Sequence, residues 1–451
     1  MKLDLGFVAS ATGGSILGPG SVVCDGASLD SRRIRQGQLF VALKGEKADG
    51  NDFVGEALTR AAAALVSRPA AAPKPLVVVP DTLRALQDLG REACLRMAPT
   101  VVAVTGSVGK SSAKELIHQA LARVRTGVAA SQGNLNSTIG VPLSVCNLPD
   151  GTRWAVLEMG ISRRGEMRNL GRVAPPDVIL FTGVHAVHTE YFDSLEAIAE
   201  EKAALAAFLK DGGAILWPAG DPLMEPRLKP LSCRKITFGE RGDVDAEISL
   251  DRGFLGYEGA LRLSGKRIPF RVPHAGLHAR TLLEAAAVLH SLGLGPEPAL
   301  EAAQGFVPLP GRLNLRRIPQ DRMIVNDCYN ASPFALTALL ERFARTPVMG
   351  KKLLVLGDML ELGRLEAEAH AQAGREAASV VDRLITLGPR AAAAARTFAE
   401  HGKPAIACET LEAAAEAVLR HTSPGDWIAL KASRAVALER LIPLLEDADA
   451  V

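Results

Sequence analysis

The chain has 451 residues, 48% of them hydrophobic and 23% charged, an ordinary globular composition that leaves room for two to four domains. The 52 Lys+Arg and 50 Asp+Glu leave a net charge of +2, and aromatics make up 4%; bulk-charge binding of nucleic acid and a base-stacking platform are both excluded as expectations. No stretch reaches the ~18 apolar residues of a membrane span, Met1–Ser10 lacks the apolar core of a secretory signal, and the six cysteines form no CxxC pair, so a reduced, cytoplasmic protein without Cys-bound metal is expected.

In chain order, the first 98 residues read as mixed α/β. Gln38–Leu43 is predicted as a strand, Asn51–Ser67 as a helix on the strength of its alanines, Leu76–Val79 as a strand and Thr82–Met97 as a helix. Ala98-Pro99-Thr100 is the expected junction. A second unit opens with a buried strand at Val101–Val104, a loop at Gly106–Lys110 and a helix at Ser111–Val124, where Ile117, Ala120, Leu121 and Val124 share one face. Trp154–Leu157, Val178–Phe181 and Ala214–Trp217 read as strands, and Leu195–Leu209 as a helix. The third unit starts near Leu313, with strands at Met323–Val325, Leu353–Leu356, Leu384–Leu387, Ala405–Ala407 and Trp427–Leu430. Ala391–Ala395 reads as helix. Alternating strands and helices predict an α/β protein of three domains: a mixed α/β domain (1–98), a central parallel-sheet domain (99–312) and a Rossmann-like domain (313–451).

The sharpest local pattern is Thr105-Gly106-Ser107-Val108-Gly109-Lys110-Ser111-Ser112. It lies between a strand and a helix, the context a phosphate loop needs. Gly106 and Gly109 let backbone N–H groups turn toward an anion, and the helix N-terminus adds positive potential. Lys110 would reach the terminal phosphates and Ser111 would ligate Mg²⁺. The usual GxxxxGK[ST] pattern wants glycine at 104, where this chain has Val104.

That loop is the short form found in the ATP-dependent Mur ligases, and further segments follow in the family's order. Gly133-Asn134-Leu135-Asn136 through Ile139-Gly140-Val141-Pro142, Leu157-Glu158-Met159-Gly160, His188 with Lys202, Pro310-Gly311-Arg312 and Asp327-Cys328-Tyr329-Asn330-Ala331-Ser332-Pro333 each resemble a family motif. Asp30-Ser31-Arg32 and Leu39–Gly45 resemble the UDP-binding N-terminal domain. Leu356–Gly363 is close to a signature of the member that adds D-alanyl-D-alanine, and the DNPR motif of the diaminopimelate-adding member is absent.

The resemblance implies an ADP-forming ligase of peptidoglycan synthesis. ATP would phosphorylate the carboxylate of a UDP-N-acetylmuramoyl-tripeptide, and the amine of D-alanyl-D-alanine would attack the acyl phosphate. It implies ATP and two Mg²⁺ ions, small-molecule partners and a monomer. Gly106, Ser107, Gly109, Lys110, Ser111, Ser112, Asn134, Arg312, Asp327 and Asn330 would bind nucleotide. Ser111, Glu158, His188 and Lys202 would serve metal, Lys202 as a carbamate, since an ammonium cannot ligate a cation. Lys110, Glu158, His188 and Lys202 would be the catalytic set. Ser31, Arg32, Lys44 and Asn136 would meet the UDP-substrate; Asp358, Glu361, Lys431 and Arg434 would meet the dipeptide. Closure of the third domain over the second is expected, because nucleotide contacts lie on both sides of Arg312.

Four positions where the family usually has Asn hold Val108, Gly183, Ala279 and Leu282. They keep three other readings open: a related ligase with another substrate, such as a folylpolyglutamate-type enzyme, a nucleotide-binding pseudoenzyme, and a P-loop GTPase, the last lacking a guanine-reading NKxD.

Overall fold

The structure is a computed structural model that describes residues 1–69, 72–185, 192–273 and 276–447. Each of the three units is built on its own sheet. In the first, five strands run in the order Ser15–Leu17, Leu76–Val78, Ala63–Val66, Leu39–Val41, Ala27–Ser28, with the last four parallel to one another. Ala63–Val66 corrects the sequence reading of Asn51–Ser67. That stretch forms a short 3₁₀ turn, Gly50–Phe53, one helical turn, Val54–Ala57, and then this strand. Its four residues are buried between two neighbouring strands, so pairing and burial override the helix propensity of alanine.

The central unit holds nine strands. Val128–Ala130, Trp154–Glu158, Thr100–Thr105, Val178–Phe181, Ala214–Pro218 and Arg234–Phe238 are parallel, and Val244–Asp251, Tyr257–Leu263 and Lys266–Val272 close the far edge as a meander. Its central strands read as unbroken apolar runs because both faces are covered: Val101 and Ala103 enter one core, Val102 and Val104 the other. The first of these cores is continuous with the N-terminal unit, through Leu86, Leu89 and Ala93 of the helix Thr82–Met97. The predicted helix over Leu195–Leu209 is an α-helix only to Ala203, then a 3₁₀ segment, Ala204–Phe208.

Six strands make the third sheet, in the order Asn314–Ile318, Arg322–Asp327, Trp427–Lys431, Lys352–Gly357, Arg383–Leu387, Ala405–Cys408. The first pair is an antiparallel hairpin and the rest are parallel. The helix Pro333–Arg345 follows the second strand and faces the central unit. The six cysteines are unpaired.

Candidate functional site

The strand Thr100–Thr105 lies inside the central sheet and delivers Gly106–Gly109 to its C-terminal edge, where open parallel sheets bind ligands. The helix Lys110–Val124 starts directly after the loop. The loop is tied down on one side: the Ser107 N–H donates to the Gly183 carbonyl (2.9 Å), and the Thr182 hydroxyl donates to the Val108 carbonyl (2.6 Å). Lys110 folds back over the loop, its Nζ donating to the carbonyls of Gly106 (2.8 Å) and Ser107 (3.0 Å). Burial holds its pKa below the usual lysine value, against the opposing pull of Glu158.

Glu158 ends the strand Trp154–Glu158 next to the loop. Its Oε2 accepts from the Ser111 hydroxyl (2.6 Å) and its Oε1 from the Asn136 amide (2.7 Å). Two hard oxygen donors, Ser111 Oγ and Glu158 Oε2, thus converge beside the phosphate loop, and this donor set fits Mg²⁺. Lys202 approaches from the helix Leu195–Ala203. It is 2% exposed, and its Nζ donates to the same Gly106 carbonyl (3.0 Å). Burial, reinforced by the nearby Lys110, pushes its pKa well below the lysine value. His188 lies outside the described residues.

From the third unit, Asp327 pairs with Lys431, which is 2% exposed, at the ends of two adjacent strands. The Arg312 guanidinium stacks 3.9 Å above the Tyr329 ring, and its buried Nε has no hydrogen-bond partner among the described residues. These groups and the phosphate loop line one cavity of about 560 Å³ between the two units; Ser112, Asn136, Glu158, Lys202 and Asn330 line it as well. A nucleotide-sized opening with a phosphate loop at one wall and basic side chains around it, Lys110, Lys202, Arg280, Arg312, Arg342 and Lys431, is suited to gathering anions that repel one another.

Comparison with known proteins places this arrangement. Residues 24–94 match the Mur ligase family catalytic domain, 104–289 the Mur ligase middle domain, and 311–434 the Mur ligase glutamate ligase domain. The chain is 34% identical to a UDP-N-acetylmuramoyl-tripeptide–D-alanyl-D-alanine ligase of Bacillus subtilis, over 98% of each chain. The chain belongs to the Mur ligase family. Two solved structures agree: MurF from Acinetobacter baumannii (TM-score 0.88, 27% identity, 99% of each chain) and MurF from Thermotoga maritima in complex with ADP (TM-score 0.80, 30% identity, 94% of this chain and 97% of that one).

Not every residue singled out in the sequence of this Mur ligase reaches the cavity. Asn134 is exposed on its loop, outside the lining. Ser31 donates to Glu56 (3.1 Å), Arg32 pairs with Asp30 (3.0 Å), and Lys44 bridges Asp49 through the backbone, all in the first unit. Asp358 is buried and accepts the Ala391 N–H (2.8 Å), so its carboxylate serves the turn before the helix Ala392–Glu400. Arg434 pairs with Glu439, and Glu361 is an exposed turn residue at φ +62°. Lys431 is not free for a dipeptide carboxylate here, because Asp327 holds it.

Residues the motifs did not flag also line the cavity: His185, Arg280, Glu284, Phe334 and Arg342. The spacing of Arg280 and Glu284 on the helix Ala279–Ser291 was a readable signal, since i,i+4 partners share a face; their charged groups lie 3.4 Å apart. The Arg280 guanidinium donates to the Thr182 carbonyl and covers Gly183. Gly183 itself sits at φ +104°, a backbone conformation that favours glycine. Leu282 is simply core, 1% exposed among apolar neighbours.

Proposed function

We propose that this Mur ligase joins D-alanyl-D-alanine to UDP-N-acetylmuramoyl-tripeptide, with ATP converted to ADP and phosphate. The observation that carries the reading is the convergence of Lys110, Ser111, Glu158 and Lys202 on one phosphate loop, in a cavity shared with Arg312, Asp327 and Lys431. Near-full-length similarity to ligases of that name supplies the substrates.

A carboxylate oxygen of the tripeptide attacks the γ-phosphorus, and the bond to the bridging oxygen of ADP breaks. The dipeptide amine then attacks the acyl carbon, loses a proton, and expels phosphate. Lys110 neutralises the γ-phosphate, and Arg312 offers a planar fork to the phosphates. Ser111 and Glu158 would hold Mg²⁺, with Asn136 fixing the Glu158 carboxylate, and the bound ion would supply charge neutralisation between ATP and the carboxylate. Asp327 takes the ribose and Asn330 the nucleotide beside it. Burial keeps part of Lys202 as free amine, the form that adds CO₂ to give a carbamate and release a proton; with His188 it would hold a second Mg²⁺. Ser31, Arg32 and Lys44 receive the UDP moiety on the first unit. Asp358 and Glu361 meet the dipeptide ammonium, and Arg434 its carboxylate, after movement of the third unit. The chain works as a cytoplasmic monomer.

The test is phosphate release from ATP and Mg²⁺ with UDP-N-acetylmuramoyl-tripeptide, with and without D-alanyl-D-alanine, and mass analysis of the product. Release should need both substrates, the product should gain the dipeptide, and Lys110→Met should lower turnover at least about 100-fold. Depleting CO₂ should slow the reaction and bicarbonate should restore it. Tight ATP binding without release would instead favour the pseudoenzyme.

A further inference from the structure

The helix Pro333–Arg345 touches the central unit at both ends, by contacts of opposite kinds. At its C-terminal end, the turn Gly253–Leu255 of the central meander drives Phe254 into the core of the third unit. Phe254 has no exposed surface and packs with Leu336, Leu340 and Phe343. Its N–H donates to Thr346 Oγ1 (2.9 Å), the Gly253 carbonyl accepts from Arg342 Nε (3.2 Å), and Arg345 pairs with Asp251 (3.3 Å). Gly253 sits at φ +57°, and a Cβ there would fall 2.3 Å from the Arg342 carbonyl oxygen. This end is a socket.

The N-terminal end carries a ring stack. The Phe334 ring lies face to face with the His185 ring, centroids 3.4 Å apart and planes 13° from parallel, yet Phe334 is 38% exposed. His185 is locked to the phosphate loop through its backbone: its N–H donates to Ser107 Oγ (2.9 Å) and its carbonyl accepts from the same hydroxyl (3.0 Å). Burial and the neighbouring Arg280 push the imidazole pKa down to about 4, so the stacked ring is neutral at neutral pH. One residue therefore links the phosphate loop to the unit that carries Asp327 and Lys431.

We propose that His185 and Phe334 are positioning residues, whose stack is the releasable contact holding the third unit's nucleotide-facing groups over the phosphate loop while the Phe254 socket stays engaged. The proposal rests on the nucleotide site described under the proposed function. A half-exposed ring pair costs little to separate, whereas withdrawing Phe254 would open a core. The apparent Kd is the intrinsic Kd divided by the fraction of molecules that are closed, so losing the stack weakens ATP without touching a phosphate contact. Saturating nucleotide restores closure.

The experiment is direct titration of the full chain with ATP and Mg²⁺, without other substrates, on wild type, Phe334→Ala, His185→Ala, the double variant, Phe334→Tyr and His185→Phe. The alanine at 185 keeps the backbone bonds to Ser107. Each alanine variant should bind ATP about fivefold more weakly, the double no worse than either single, with thermal midpoints unchanged and the aromatic replacements near wild type. In turnover assays KM for ATP should rise by the same factor and kcat stay within about twofold. Unchanged ATP affinity, additive losses in the double variant, or a Phe334→Tyr as weak as Phe334→Ala would overturn the proposal. A wild type that binds no ATP would overturn it with the nucleotide site. Binding without ligation would sink only the assigned reaction.

Discussion

Glu284 shows at the residue scale what burial does to chemistry beside the site. It is 2% exposed, its Oε2 has no partner among the described residues, and desolvation raises its pKa from 4.5 to about 8 despite Arg280. Between those values the folded chain holds a proton that the unfolded chain has lost. Stability therefore falls as pH rises from about 4.5 to about 8, by at most ~1.4 kcal/mol per pH unit, and levels off above. Glu284→Gln removes this dependence. Denaturant midpoints from pH 5 to 9 should converge at the acid end, with the variant more stable at the alkaline end; parallel curves would refute the assignment. Lys110, Ser111 and Glu158 were legible in the sequence because their motifs are local or lie at strand ends, whereas Lys202, on the helix Leu195–Ala203, was singled out only through the family resemblance. The Ser111–Glu158 hydrogen bond spans 47 residues of sequence, and only the parallel pairing of Trp154–Glu158 with Thr100–Thr105, the strand that leads into the phosphate loop, brings it about.

At the scale of elements, the meander Val244–Val272, like the strands Val128–Ala130 and Arg234–Phe238, is a part of the central sheet that the βα pattern did not reveal. Its short turn turns out to anchor the third unit through Phe254. Phe254→Ala should remove ~3–5 kcal/mol from the stability of that unit, read as an earlier denaturant transition of its own. A loss under about 1 kcal/mol would show that the ring is not part of that core. The helix expected over Asn51–Ser67 failed for a related reason. Alanine favours a helix in isolation, but the slot between Leu39–Val41 and Leu76–Val78 admits a strand of small residues. Helix Thr82–Met97, by contrast, was readable to the residue, because Asp81 caps it with bonds to the N–H groups of Leu83 and Arg84.

At the scale of the whole molecule, the cavity belongs to two units and to neither alone. The phosphate loop lies on the central sheet, and Asp327, Asn330 and Lys431 lie on the third. Small-angle scattering should show the chain becoming more compact with ATP, Mg²⁺ and UDP-N-acetylmuramoyl-tripeptide than without them. An unchanged radius of gyration would count against closure. The same movement would be needed to bring Asp358, Glu361 and Arg434 toward a dipeptide, since none of them lines the cavity in this structure.

The sequence by itself determined the family, the three α/β units and the place of the phosphate loop between a strand and a helix, because loop glycines, strand-end carboxylates and helix caps act over a few residues and leave local patterns. Tertiary structure alone decided that Arg280 covers Gly183, why Gly253 must be bare, and which ring of the central unit meets Phe334. Those outcomes depend on packing between segments 70 to 150 residues apart. Burial and close approach set them, and neither is encoded in any one stretch of chain.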